Sequence, residues 1–140
     1  EVNYNYAVMY DESGQYTWEC PNKEELMESA WQELDGFTKG SNVACADYHK
    51  IRLLVMEAQG MRYETLSKSD MEQHIRWSRY HYVNHWHYGM FEDMPENGKG
   101  GRKLKNPAKR LHTGLILYKD LTEETKQKDR DAIQEMFKKR

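Results

Sequence analysis

The stretch from Met71 to Phe91, MEQHIRWSRYHYVNHWHYGMF, constrains this chain more than any other. It holds four of the six histidines, two of the four tryptophans and three of the ten tyrosines. At about 100° per residue, Met71, Ile75, Ser78, Tyr82 and Trp86 fall on one helical face, with His74, His81 and His85 beside it. Glu72, Arg76, Arg79 and Val83 lie on the other flank. Gly89 sets a stop close behind His85. The rest of the chain has to supply what packs on this helix.

The totals bound the answer. At 140 residues the chain is read as one compact unit, divided into an N-terminal part, 1–65, and a second part, 66–140. Aromatic residues make up 12% and oppose disorder, although only 38% is hydrophobic and 31% is charged. A net charge of −2 gives no reason to expect nucleic acid. Cys20 and Cys45 lack CxxC spacing and read as free thiols, with one disulfide as the alternative. No apolar run is long enough to span a membrane, and there is no signal peptide. A start without methionine suggests a fragment of a longer, cytoplasmic protein.

Residues 2–20 alternate: Val2, Tyr4, Tyr6, Val8 and Tyr10, a turn at 11–14, then Tyr16, Trp18 and Cys20. That pattern favours a hairpin; a short helix carrying Tyr6, Met9 and Tyr10 is the competing reading. A helix starts at Asn22, with Glu24 and Glu25 in its first turn, and ends at Gly36 and Gly40. Ser41 caps a second helix whose apolar face is Ala44, Tyr48, Ile51, Leu54, Val55 and Ala58, stopped by Gly60. Ser69 with Glu72, or Ser67 with Asp70, opens the third. Residues 97–111 carry six basic and no acidic residues with three glycines, which predicts a mobile, solvated loop. Leu115–Tyr118 suits an extended segment, and Thr122 or Asp120 caps a last helix that ends in Lys138, Lys139 and Arg140. The fold class is mainly α, a compact helical domain with short β-strands or a hairpin.

The chemistry is sparse. His81 and His85 have i, i+4 zinc spacing, but Tyr82 stands where HExxH requires glutamate. No EF-hand loop, GxSxG, P-loop or GxGxxG is present, and no enzyme activity or cofactor is expected. Trp86, Tyr88 and Phe91, beside Arg76, Arg79 and the basic loop, suggest a site for a small planar anion such as a nucleotide.

The motifs taken together resemble a known family. Trp86-His87-Tyr88-Gly89, then His112, Leu115, Tyr118, Leu121, Glu124, Lys126 and Asp129-Arg130, are similar to the RyR domain, the module repeated in ryanodine receptor channels and found in bacterial and phage proteins. Ser41-Asn42, Ala46-Asp47, Lys50, Leu53, His74 and Arg76-Trp77 resemble the region of bacterial proteins that join a TrkA-N-type nucleotide-binding domain to an RyR domain. The matches span about residues 31–137. His85 replaces the usual glycine, Thr113 and Leu117 replace two prolines, and the basic loop is longer than in most members. The resemblance implies a non-catalytic module contacting other domains or protein partners. It also implies, as the alternative, a sensor of a nucleotide-like ligand, with Trp86, Tyr88, Arg76, Arg79 and His112 as its site. No pore segment for calcium conduction is present.

Overall fold

The computed structural model describes residues 2–10, 12–61 and 69–138. Its order is α1 (Val2–Tyr10), α2 (Lys23–Gln32), α3 (Gly36–Ala58), α4 (Ser69–Val83), β1 (His87–Tyr88), β2 (Lys105–Asn106), β3 (Leu111–His112) and α5 (Glu123–Lys138). Short 3₁₀ turns stand at Phe91–Asp93 and Tyr118–Asp120. The chain is mainly α, with one small three-stranded sheet. It folds as two compact units: Glu1–Ser67 with Asp131–Arg140, and Lys68–Arg130. No helix among the described residues is long and apolar enough to cross a membrane.

In the first unit, residues 2–10 are a helix rather than half of a hairpin. An every-second pattern also contains an every-fourth pattern, so the tyrosines fit either period. Tyr6 and Tyr10 meet one turn apart, with ring centroids at 4.7 Å. Tyr4 is buried, donates its hydroxyl to Thr17 O at 2.9 Å, and meets the Tyr16 ring edge-on. Asn22 precedes α2 as expected, but its side chain makes no cap bond and accepts from the Cys20 thiol instead.

The boundary between α2 and α3 differs most from expectation. Asp35, not Ser41, caps α3: its Oδ1 accepts from Thr38 N at 2.7 Å. Gly36 and Gly40 therefore lie inside α3, and Phe37 with them. A capping carboxylate at a helix N-terminus is favourable, Gly36 stands at the first helical position, and the interior Gly40 costs only about 1 kcal/mol. The buried side of α3 is Cys45, His49 and Met56. The apolar face read from the sequence points the other way: Ile51 is 61% exposed and Leu54 56%.

Both long helices of the middle chain end in the same manner. At α3, Met61 N donates to Met56 O and Gly60 N to Glu57 O, with Gly60 at φ 64°. At α4, Trp86 N donates to His81 O and His85 N to Tyr82 O, with His85 at φ 64°. These are Schellman closures, which place a left-handed residue just past the helix. Gly60 accepts that backbone freely; His85 bears a steric cost there. Of the two residues expected to cap the start of α4, Ser67 lies outside the described residues, and α4 begins at Ser69.

The second unit's sheet has the order β1-β3-β2, with β1 parallel and β2 antiparallel to β3. Tyr88 and Lys105 flank His112, and His87 and Asn106 flank Leu111. Gly89 follows β1 at a close approach: a Cβ there would stand 2.8 Å from Leu111 Cβ and 2.5 Å from Met94 Cε. The basic connection is built rather than irregular. It holds β2 and a bridge between Glu96 and Arg102, and Asn97 Oδ1 accepts from Lys99 N and Gly101 N. Arg102 and Arg110 donate to Met94 O and Asn84 O, so two of the six basic side chains hold backbone. At α5, Thr122 Oγ1 accepts from Thr125 N, the cap read from the sequence.

Two substitutions four residues apart have opposite expected effects. H85G removes the left-handed penalty and raises stability by about 1 kcal/mol. G89A pushes a methyl into Leu111 Cβ and lowers stability by about 1–3 kcal/mol. Urea denaturation midpoints of the two variants check both signs.

Candidate functional site

The second unit is centred on a cluster of indole and imidazole rings. Trp77 and His81 lie one turn apart on α4, with ring centroids at 4.1 Å. The closure at His85 turns Trp86 back, so that it meets His81 edge-on at 5.3 Å. His112 on β3 completes the set, edge-on to Trp77 at 4.8 Å and to His81 at 5.7 Å. Trp86 is 5% exposed. The rings cover one another's faces, an arrangement that favours edge-to-face aromatic contacts.

Hydrogen bonds fix the protons on these rings. Carbonyl oxygens only accept, so His81 Nδ1–H donates to Trp77 O at 2.9 Å. Gly114 N donates to His112 Nδ1 at 2.9 Å, so the His112 proton sits on Nε2. A Cβ at Gly114 would come within 3.2 Å of the His112 ring. Burial pushes His112 down to about 4, helped by positive charge at His81, Lys105, His74 and Lys128. Burial also lowers His81, against the pull of the Trp77 carbonyl and with help from Lys105 and Arg76.

His74 extends the cluster. It stacks beside Trp77 at 5.6 Å, and its Nε2 donates to Ile116 O at 2.8 Å. Its Nδ1 lies 3.8 Å from Asp129 Oδ2, and Ser78 Oγ lies 3.4 Å from Nε2. Ser78, His74 and Asp129 thus have the order of a nucleophile relay. The protons run the wrong way: Nε2 is spent as a donor to Ile116 and cannot take a proton from Ser78. Ser78 is also buried at 8% exposure. Burial raises Asp129 to about 7, with Arg76 pulling it down and Asp70 pushing it up. Burial likewise lowers His74, against the Ile116 carbonyl. Both groups are held toward their neutral forms.

A polar clamp joins α4 to α5. Asp70 Oδ2 accepts from the Tyr118 hydroxyl and from Arg130 Nε at 3.2 Å. Arg130 also reaches Glu123 and Gln127, and Lys126 pairs with Glu123 and lies over the Tyr118 ring. The acid that α5 adds to this network is Glu123, one residue before the Glu124 singled out in the sequence. Burial would raise Asp70, but hydrogen bonds from Tyr118, Met71 N and Arg130 outweigh it and lower its pKa. Burial and the bond to Asp70 push Tyr118 up to about 12.

The structure brings together Trp86 and His112 and sets Tyr88 beside His112 by strand register. Tyr88 is 53% exposed. Arg76 Nε donates to Gln73 Oε1, and Arg79 is exposed on α4. His81 and His85 do not share a helical face: α4 ends at Val83, and His85 is exposed in the turn. Among the described residues no three histidine, cysteine, aspartate or glutamate side chains gather as a metal set. A concavity of about 220 Å³ in the first unit is lined by Asn3, Tyr4, Glu24, Met27, Glu28 and Trp31, none of them a predicted site residue. Sequence reasoning missed the pairing of Asp129 with His74 and of Asp70 with Tyr118. These partners stand 55 and 48 residues apart.

No family model matches this chain, and no curated protein or solved structure matches it either.

Asp129 and the histidines give opposite pH dependences. The folded chain keeps a proton on Asp129 between the ordinary 3.8 and about 7, so its contribution to stability falls as pH rises through that window. His74, His81 and His112 are held toward neutrality when folded, so stability falls as pH drops below 6.5, toward 4 for His112. D129N removes the buried carboxylate while keeping a donor for His74. It is expected to exceed the parent above pH 7 by up to about 4 kcal/mol. The advantage vanishes toward pH 4, and the acid-side loss steepens between. Denaturation curves across that range test both.

Proposed function

We infer that this chain is a non-catalytic RyR-type interaction or regulatory module of a larger bacterial protein. One observation carries the reading. Most of the residues from Trp77 to Arg130 on which the RyR resemblance rests, though spread along the sequence, fall into the packing of one unit, while Ser41-Asn42, Ala46-Asp47, Lys50 and Leu53 lie in the other. Trp77, Trp86 and His112 share the ring cluster. Gly89 permits the close approach to Leu111. Leu115 and Leu121 are buried, and Tyr118, Lys126 and Arg130 build the clamp. Residues used in this way hold a scaffold, and they leave partner contacts to the exposed Tyr88, Met90 and Phe91 after α4.

The alternative reading is a sensor of a nucleotide-like anion. It is favoured by the row Tyr88–His112–Lys105 across the sheet, an exposed ring and an exposed cation on either side of a histidine. Two measurements separate the readings. A thermal-shift panel of nucleotides is expected to be flat for an interaction module. A nucleotide at 100 times its dissociation constant would add about 2.7 kcal/mol and displace the first reading. Crosslinking in the intact parent protein is expected to join the Tyr88–Phe91 segment to another domain or protein. Y88A with F91A should reduce those crosslinks without moving the melting temperature. Crosslinks unchanged by both substitutions would count against this surface.

A further inference from the structure

The geometry points to α3 as a self-association helix, on which two copies of this chain pair antiparallel about a two-fold axis. The helix has two apolar sides. Cys45, His49 and Met56 are buried on one side. Val43, Ile51, Leu54 and Val55 are exposed on the opposite side, with Ala58 beside them. At about 100° per residue the two sets stand on opposite faces. Burying one face satisfies a helix; a second apolar face left in water marks an interaction surface.

The spacing of that second face is that of a helix–helix seam. Ala44, Asp47, Ile51, Leu54 and Ala58 alternate by three and four residues, the heptad rhythm of paired helices. Lys50 and Glu57 run along one flank of the seam, seven residues apart and both exposed. Neither has an ion-pair partner among the described residues.

These charges choose the occupant and its direction. In an antiparallel two-fold pair each flank meets the same flank of the other helix. Lys50 then faces the partner's Glu57, and Glu57 the partner's Lys50. Along the seam Ile51 packs on the partner's Leu54, twice, and Asp47 faces the small Ala58 of the partner. A parallel pair would instead set Asp47 against its own copy and leave Lys50 opposite Val55. Like charges at a seam oppose pairing, and opposite charges specify it. The two-fold arrangement also closes on itself, so it ends at a dimer. A seam made by one helix from each copy belongs with weak, reversible association.

Sedimentation equilibrium of the intact chain tests the proposal, with circular dichroism melts as the control for folding. The expected result is a concentration-dependent monomer–dimer equilibrium. L54D, at an exposed position, leaves the melt unchanged and makes the chain monomeric. K50E and E57K each weaken the dimer by about tenfold or more. An equimolar mixture of K50E and E57K chains restores it, because position 50 of each then faces an opposite charge at position 57 of the other. A chain monomeric up to about 1 mM overturns the proposal. So does association untouched by L54D, and so does a mixture that binds no tighter than its components.

Discussion

The second unit depends on one backbone turn. His85 adopts a left-handed conformation, and through it the chain reverses so that Trp86 lies back on His81, one turn inside the helix it has just left. Two hydrogen bonds close the helix end, and Arg110 takes the free carbonyl of Asn84. The placement of Trp86 sets where β1 begins, and β1 sets the register that brings His112 against Trp77. A residue with a side chain occupies the strained position, so the ring packing it permits downstream outweighs a local cost of about 1–2 kcal/mol.

Polar groups then do what an aliphatic core does in other small domains. His74, His81, Ser78 and Gln73 are buried on α4, and each ring nitrogen that matters has a defined donor or acceptor role. Such a centre fixes a single arrangement because a shifted register leaves donors facing donors. It also stays neutral. Burial holds the imidazoles down and Asp129 up, which keeps charge out of a region walled by two indoles.

Local signals in the sequence were legible where one residue type had one physical use. Glu24 and Glu25 mark the start of α2, Gly60 ends α3, and Thr122 caps α5. Legibility failed where a pattern satisfied two periods, as the N-terminal tyrosines do. It failed again where Asp35 competed with Ser41 for the same cap. The α3 stripe was visible as apolar, but a stripe does not say whether its partner lies within the chain. The ring cluster joins α4 to residues about 30 positions away, and the state of Asp129 depends on burial; neither is written in spacing.

The same cluster makes the molecule self-reporting. Two of its four tryptophans touch histidine rings, Trp77 at His81 and His112, and Trp86 at His81. An imidazolium quenches a neighbouring indole far more strongly than a neutral imidazole does. Trp18 and Trp31 lie in the other unit and serve as internal reference. The intrinsic emission of this protein therefore carries a readout of whether a proton has entered its centre, with no label attached.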